Sequence, residues 1–250
     1  MKILFVGDIY GQPGIDMFEE HLKELKNKYR PNLIIVNGEN IKNGRGIDKK
    51  IYLQLMKLGV SAVTMGNWTW GNNELLDFID DSKIIRPANY AKAPGEGFKI
   101  INFNGKTVLV ISLLGRIFMN ANLENPFLVA KEIIANNPAD YVFVDMHAEA
   151  TSEKVALGHY LDGIANAIVG THTHVQTNDD RMLPNGTLYI SDVGMTGSSN
   201  GVIGVDKDIV LSRFLTGYST GNVVATGKRQ LNAVFLDLDK KTIDKINIKE

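Results

Sequence analysis

Apolar runs and helical patterns alternate in the first third of the chain. Residues 2–7, 32–36 and 60–65 form short apolar runs of the kind that buried parallel strands show. Between these runs, apolar residues recur at helical spacing from Met17 to Leu25 and again from Ile51 to Leu58, where Asp48 is a candidate helix cap. Strand and helix therefore alternate, and this order predicts a parallel βαβ sheet.

The rest of the chain predicts a second set of strands. Two apolar runs, at 98–103 and 106–113, flank the pair Asn104-Gly105, which indicates a hairpin. Six further elements are predicted, namely helices at 127–135 and 152–157 and strands at 141–145, 165–169, 187–191 and 231–236. The last third is thus expected to be β-rich, with a solvated edge strand and loop after Asp237. We predict an α/β fold in which residues 1–250 form a single domain of two packed sheets with outer helices.

Composition narrows the classes of function. The chain has 27 basic and 28 acidic residues, a net charge of −1, which argues against long nucleic acid as a partner. It has no cysteine, which excludes disulfides, thiolate zinc sites, iron–sulfur clusters and a cysteine nucleophile, and favours the cytoplasm. A metal would have to be held by His, Asp, Glu, Asn or backbone oxygen. No apolar run suits a membrane span or a signal peptide.

Polar side chains suited to metal binding follow the ends of five predicted strands. They are Asp8, Glu39, Asn40, Asn67, His147, His172 and His174. The carboxyl ends of strands in an open α/β sheet share one edge, so we expect these seven side chains to converge. Each residue taken alone is more typical of a cap or a turn. His172 and His174 are expected to point to one side of an extended segment, a geometry that suits metal binding.

Several motifs resemble those of the calcineurin-like metallophosphoesterase superfamily, and more closely those of its YmdB-like bacterial branch. The superfamily motifs are Gly7-Asp8, 38–40 (Gly-Glu-Asn), Gly66-Asn67, His147 and 170–174 (Gly-Thr-His-Thr-His). The branch is indicated by 86–89 (Arg-Pro-Ala-Asn), 147–153 (His-Ala-Glu-Ala-Thr-Ser-Glu) and 191–197 (Ser-Asp-Val-Gly-Met-Thr-Gly). The resemblance covers nearly the whole chain. It implies a four-layer α/β/β/α sandwich, a two-metal centre and phosphodiesterase activity on small phosphodiesters, including 2′,3′-cyclic nucleotides.

The resemblance also assigns a role to each candidate ligand. Asp8, Glu39 and His174 would hold the first ion, and Asn40 matches a further ligand of that ion. Glu39 would bridge to a second ion held by Asn67, His147 and His172. Such mixed imidazole and carboxylate ligands suit iron, manganese or zinc better than magnesium. The cofactors expected are therefore two divalent or trivalent ions, iron or manganese first and zinc as a further option.

Three positions depart from the resembled pattern. Trp68 occupies the position of the proton-donating His in the superfamily motif Gly-Asn-His, and an indole cannot transfer a proton at neutral pH. Tyr10 stands where the wider superfamily has a His ligand, so the first ion would be held more loosely. His159 stands where the branch has Trp. A swap that brings His159 beside Trp68 is one interpretation; a surface histidine near a helix end is the favoured one.

Several interpretations of Trp68 stay open. The chain is expected to be a phosphoric diester hydrolase, slowed because general acid catalysis is typically worth about 10²–10⁴ in rate. The alternatives are a pseudoenzyme that binds metal and a nucleotide, with Trp68 stacked on the base, and a regulatory scaffold without turnover. Trp68 could also merely pack against Trp70, or mark an altered chain whose parent had His there. The sequence leaves the physiological substrate, the metal and any homo-oligomer open.

Overall fold

The computed structural model describes residues 1–119, 122–219 and 221–250. In chain order the strands are β1 (Lys2–Val6), β2 (Asp8–Ile9), β3 (Leu33–Asn37), β4 (Ala62–Thr64), β5 (Ile84–Ile85), β6 (Phe98–Phe103), β7 (Lys106–Leu114), β8 (Tyr141–His147), β9 (Ala167–Thr171), β10 (Arg181–Met182), β11 (Leu188–Ile190), β12 (Met195–Ser198), β13 (Arg229–Asp237) and β14 (Thr242–Lys249). The helices are α1 (Gly11–Tyr29), α2 (Lys49–Lys57), α3 (Pro126–Asn136), α4 (Thr151–Tyr160) and α5 (Lys207–Thr216). Two short 3-10 helices, Thr69–Gly71 and Asn73–Asp77, follow β4.

The strands form two sheets, as the sequence predicts. The first has the order β2-β12-β13-β1-β3-β4-β5, with β14 paired to β13. The second has the order β10-β11-β9-β8-β7-β6. Strands β1, β3, β4 and β5 are parallel, and so are β7, β8, β9 and β11. The carboxyl ends of each parallel set therefore open on one edge of its sheet.

Alternating side chains along β1 show how the layers pack. Ile3 and Phe5 face the second sheet, where the Phe5 and Phe143 ring centroids lie 5.4 Å apart. Leu4 and Val6 face the opposite way and pack with α1 and α2. Helices α3 and α4 cover the outer face of the second sheet. The predicted four-layer α/β/β/α sandwich is therefore confirmed. The single domain stays a prediction, which the core shared by the two sheets supports.

Two local predictions are confirmed by backbone and side-chain geometry. Asn104 and Gly105 join β6 to β7 with φ values of 50° and 79°, and two positive φ angles in succession are what a two-residue hairpin turn requires. Asp48 caps α2, since its Oδ1 atom accepts the Ile51 N–H at 2.8 Å. The tail after Asp237 forms β14, an edge strand paired with β13.

The last third differs from the prediction because it contains a helix, α5. Asp206 caps it by accepting two backbone N–H groups, and Gly217 ends it with a φ of 74°. Val210 is the residue of α5 that is buried, while Leu211, Phe214 and Leu215 are exposed. Val210, Leu211, Phe214 and Leu215 recur at helical spacing and both end signals are in the sequence, so α5 was predictable but was missed. Among the described residues, no helix combines the length and apolarity that crossing a membrane requires.

Candidate metal centre

The seven predicted side chains lie together where the carboxyl ends of both sheets meet. Asp8 begins β2 directly after β1, and His147 is the last residue of β8. Loops that leave three further strands supply the others, namely Glu39 and Asn40 after β3, Asn67 after β4, and His172 and His174 after β9. The structure thus brings together all the residues that sequence reasoning selected. Their roles as ligands stay a prediction.

Three of these side chains converge on a ring nitrogen of a fourth, His147. The Nε2 atom of His147 lies 3.0 Å from Glu39 Oε1, 3.0 Å from Asn67 Oδ1 and 3.0 Å from His172 Nδ1. One ring nitrogen cannot make good hydrogen bonds to three such atoms at once. Donor atoms of Glu39, His147 and His172 all lie within 4.8 Å of one another. Two imidazole nitrogens, a carboxylate and an amide oxygen in this arrangement fit a transition-metal ion.

The other three side chains form a second group around Asp8. His174 Nε2 lies 3.2 Å from Asn40 Oδ1 and 3.6 Å from Asp8 Oδ2. Asp8 is fully buried, and its Oδ1 atom has no hydrogen-bond partner among the described residues. A buried carboxylate oxygen without a partner is costly unless a cation compensates it. The donor set therefore fits a second ion beside the first group.

The backbone of the His172 loop connects the two groups. The His172 N–H donates to Asp8 Oδ2 at 2.9 Å, while its ring faces His147. The predicted extended segment is wrong, because His172 and His174 have φ values of 103° and 65°. These positive φ angles turn the chain so that the two rings reach different groups. Backbone strain of this kind persists only where the surrounding structure holds it, and it clusters at functional sites.

Burial without a compensating charge perturbs the pKa of these side chains. Burial, reinforced by the nearby Asp192 and Glu39 carboxylates, raises the pKa of Asp8 well above its usual range. Burial also raises the pKa of Glu39 to about 7, against the opposing effect of the Trp68 N–H. Burial lowers the pKa of His147 well below its usual range and that of His172 to about 4. Both imidazoles are therefore neutral at pH 7, as metal ligands must be, and a cation would favour the charged carboxylates.

Gly66 and Trp68 shape the loop that carries Asn67. A Cβ atom on Gly66 would lie 2.3 Å from His147 Cδ2 and 2.4 Å from Glu39 Oε2, so only glycine fits this close approach. Two residues on, the Trp68 N–H donates to Glu39 Oε2 at 2.8 Å. The Gly-Asn-Trp motif therefore orients Glu39 through its backbone, whatever side chain stands at position 68.

The Trp68 ring lines two adjoining cavities. The metal-side cavity has a volume of about 290 Å³ and includes four candidate ligands in its lining. It is lined by Tyr10, Glu39, Asn40, Gly44, Trp68, Glu149, His172, Thr173, His174, Ile203, Val205 and Asn222. The aromatic cavity, about 350 Å³, is lined by Asn67, Trp68, Tyr90, Leu114, Phe118, Met119 and His172. The Arg45 guanidinium lies 4.3 Å from the Trp68 ring centroid, while Trp70 packs edge-on against Tyr90. The Trp68 ring thus has a partner in Arg45, and its packing against Trp70 stays a prediction.

The structure places two other departures from the resembled pattern. Tyr10 is buried and presents a ring whose centroid is 5.5 Å from that of His174, nearly perpendicular to it. His159 is exposed in the last turn of α4, and the next residues lead to the start of β9, the opposite end of that strand from His172. This position fits the surface-histidine interpretation rather than a swap with Trp68.

Sequence reasoning missed a buried hydrogen-bond chain behind His147. The His147 Nδ1 atom lies 2.8 Å from Thr171 Oγ1, and that hydroxyl donates to Asp145 Oδ1 at 2.7 Å. Asp145 also accepts from Asn37 Nδ2 at 3.1 Å and from the Thr64 hydroxyl. Because the Thr171 hydroxyl donates to Asp145, it accepts the Nδ1–H of His147, and this tautomer leaves the Nε2 lone pair for the candidate centre. The sequence did contain one indication of this chain of hydrogen bonds, because Asp145 is an acidic residue inside the apolar run 141–146.

A buried ion pair that was also missed fixes the His172 loop. Lys154 Nζ lies 2.8 Å from Asp192 Oδ2 and donates to the Thr171 carbonyl at 2.7 Å. Asp192 Oδ2 in turn accepts the Thr173 N–H at 3.0 Å. The pair thus holds the backbone on both sides of His172. Glu149 completes this support, with Oε2 at 3.0 Å from His172 Nε2. The sequence did not indicate this pair, because a lysine in a predicted helix, such as Lys154, is usually exposed.

Comparison with known proteins adds a family to this geometry. A family model described as "YmdB-like protein" matches residues 4–250. A curated protein of Bacillus subtilis, named 2′,3′-cyclic-nucleotide 2′-phosphodiesterase, is 49% identical over 252 residues, which cover 99% of this chain and 95% of that protein. The enzyme class predicted from the sequence, a phosphoric diester hydrolase, agrees with that name.

Two solved structures match over the whole of this chain. A hypothetical protein from Thermus thermophilus has a TM-score of 0.95 and 40% identity, and the match covers all of that chain. A structure described as a novel phosphatase from Mycoplasma pneumoniae has a TM-score of 0.93 and 37% identity, over 94% of that chain. The four-layer architecture therefore belongs to a structure that relatives share.

Proposed function

Because this chain belongs to the YmdB-like family, we propose that it is a metal-dependent phosphodiesterase that hydrolyses 2′,3′-cyclic nucleotides and related small phosphodiesters. The observation that carries the proposal is the arrangement of seven buried or half-buried donor side chains in two adjoining groups. The family and the name of its 49%-identical relative support the reaction class. A scaffold without chemistry would have no need to bury an unpartnered carboxylate oxygen on Asp8.

Two ions are proposed, with Glu39 between them. Asp8, Asn40 and His174 would hold one, and Asn67, His147 and His172 the other. The mixture of imidazole, carboxylate and amide donors favours iron or manganese, with zinc as a further option. When bound, such a pair supplies Lewis-acid activation of the phosphoryl group and a nucleophile from water at neutral pH.

The residues of this chain position the reacting groups but do not supply the usual proton. Thr171 and Asp145 fix the His147 ring, and Lys154 and Asp192 fix the His172 loop. The Trp68 indole N–H can hydrogen-bond to a leaving oxygen but cannot protonate it. Turnover is therefore expected to be slow when the leaving group is an alkoxide. The missing proton should slow turnover less when the leaving group is an acidic phenol, which departs as a phenolate. The absence of cysteine supports a proposed cytoplasmic location.

The deciding experiment pairs metal analysis with turnover. The purified full chain is assayed on a 2′,3′-cyclic nucleotide and on bis-nitrophenyl phosphate, before and after chelation and after Mn²⁺ is restored. We expect bound metal and turnover of both substrates, lost on chelation and regained with Mn²⁺. Bound metal without turnover of either substrate would mean a pseudoenzyme, and absence of both would mean a scaffold; either result would overturn the proposal.

A further inference from the structure

We propose that the aromatic cavity binds the base of a nucleoside phosphodiester whose phosphate lies in the metal-side cavity. This inference rests on the proposed function and deepens it, because it assigns the base and the phosphate of one substrate to two separate compartments. It makes Phe118 and Tyr90 binding residues, which neither the sequence analysis nor the comparisons assign.

The two cavities adjoin each other at two shared side chains. Trp68 and His172 line both of them, so they meet at the candidate centre and at the departure from the family motif. Volumes of about 290 and 350 Å³ leave room for a phosphate with its sugar on one side and a flat base on the other. A substrate bound at the metal-side cavity would therefore extend directly into the aromatic cavity.

The chemistry of the two compartments matches the two ends of a nucleotide. The metal-side cavity is lined by four of the candidate ligands, Glu39, Asn40, His172 and His174, and cations held by them would attract an anionic phosphate. The aromatic cavity adds Tyr90, Phe118, Leu114 and Met119, which are aromatic or apolar. Aromatic side chains stack on any base, and methionine adapts to the shape of what it contacts. The aromatic rings of Tyr90, Phe118 and Trp68 around one cavity favour a nucleoside over a phosphodiester without a base.

The exposure and the backbone conformation of Phe118 are hard to explain without such a ligand. Its side chain is 84% exposed, although a phenylalanine ring gains from burial. Its backbone has a φ of 61°, which is unfavourable for a bulky side chain. The protein thus holds an aromatic ring in a strained conformation at the rim of the cavity beside the candidate centre. A base stacked on this ring would cover apolar surface that is otherwise in water.

Trp68 contributes a wall that is already ordered. The Arg45 guanidinium lies over its ring, which limits the rotation of the indole before any ligand binds. Tyr90 is half-buried and held from behind by Trp70. Ordered aromatic walls lose little conformational entropy on binding, which favours stacking.

The test compares a substrate with and without a base. The full chain, loaded with Mn²⁺, is assayed on adenosine 2′,3′-cyclic phosphate and on methyl ribofuranoside 2,3-cyclic phosphate, and the ratio of their kcat/KM values is measured. Phe118→Ala should lower this ratio about tenfold or more, as expected for the loss of one stacking partner. Phe214→Ala is the matched control, because Phe214 lies on α5, outside both cavities, and is 82% exposed. A ratio that Phe118→Ala leaves unchanged would overturn the proposal while the proposed function stands.

Fluorescence gives a readout that does not depend on turnover. The chain has two tryptophans, Trp68 and Trp70. Adenosine 3′-monophosphate should quench the emission of the Trp70→Phe variant in a saturable way, with a dissociation constant about tenfold higher when Phe118→Ala is added. If neither cyclic substrate is hydrolysed, the proposed function fails and this titration alone decides the base site. If the nucleotide does not quench the emission at saturating Mn²⁺, the proposed base site is wrong.

Discussion

The backbone N–H of Trp68 donates to the Glu39 carboxylate at 2.8 Å. The position where the resemblance implies a proton-donating His therefore still orients the carboxylate proposed to bridge two ions. Orientation of Glu39 is a backbone property, whereas proton donation belongs to the side chain. The substitution can thus reduce acid catalysis and leave the candidate centre in place.

This separation predicts the effect of Trp68→His. An imidazole at position 68 should raise turnover of 2′,3′-cyclic nucleotides by up to about 10²-fold or more, because their alkoxide leaving group needs a proton. Nitrophenyl diesters should gain much less, since nitrophenolate leaves readily without one. Rates on both substrates at matched metal content are the measurement. Trp70→His is the control and should give no such gain; equal gains on both substrates for Trp68→His would refute the account.

The hydrogen-bond chain behind His147 predicts a contrast between two substitutions of Thr171. Thr171→Val removes the hydroxyl that links His147 to Asp145 but keeps the shape of the side chain. We expect metal affinity to fall about 10- to 100-fold, as for other groups that orient a ligating histidine. Thr171→Ser keeps the hydroxyl and should retain most of the affinity. Titration with Mn²⁺ checks both, and equal affinities for the two variants would show that the chain has no such role.

The buried pair of Lys154 and Asp192 predicts a large loss of stability for Lys154→Met. Removing the ammonium leaves the Asp192 carboxylate buried without its partner, a change that typically costs about 3–5 kcal/mol. Lys106→Met is the control, because Lys106 pairs with Asp140 at the exposed surface, where such pairs contribute about 1 kcal/mol or less. Urea unfolding of both variants measures the difference. Similar losses for the two would contradict the prediction that the buried pair stabilises the fold more than the exposed one.

Burial of Glu39 predicts a pH dependence in the metal-free protein. Its pKa is about 7 in the folded chain, above its ordinary value of 4.5, so the folded state binds more protons than the unfolded state between these values. Its ionisation therefore destabilises the fold as pH rises from about 4.5 to about 7. Glu39→Gln removes this cost. In EDTA, its free energy of unfolding relative to the parent should increase by up to about 3 kcal/mol between pH 5 and pH 7.5. A difference that stays constant with pH would contradict this account.

The sequence was most informative where one physical rule acts alone. Parallel strands share a carboxyl edge, so Asp8 and His147, 139 positions apart, could be placed together from strand ends alone. The Asn104-Gly105 hairpin and the Asp48 cap depend on local backbone chemistry and were also predictable. The order of strands and helices in the first third, and the strand-rich part that follows, likewise predicted two packed sheets.

What the sequence did not reveal depends on contacts between distant segments. The positive φ angles of His172 and His174 come from the Lys154–Asp192 pair and the Asp8 carboxylate, which only the fold brings near. Helix α5 buries Val210 but leaves Leu211, Phe214 and Leu215 exposed, so its apolar residues do not mark a buried face. The role of Asp145 was hidden because a carboxylate inside an apolar run has no partner in the sequence itself.

The central claim is that Asp8, Asn40, His174, Asn67, His147 and His172 hold two ions with Glu39 between them. Metal analysis of the purified full chain after Mn²⁺ loading and removal of free metal tests it most directly. We predict about two ions per chain, and a stoichiometry well below that for Glu39→Gln, measured beside the exposed control Glu132→Gln, which should match the parent. A parent chain that binds no metal, or a Glu39→Gln variant with unchanged stoichiometry, would contradict the account.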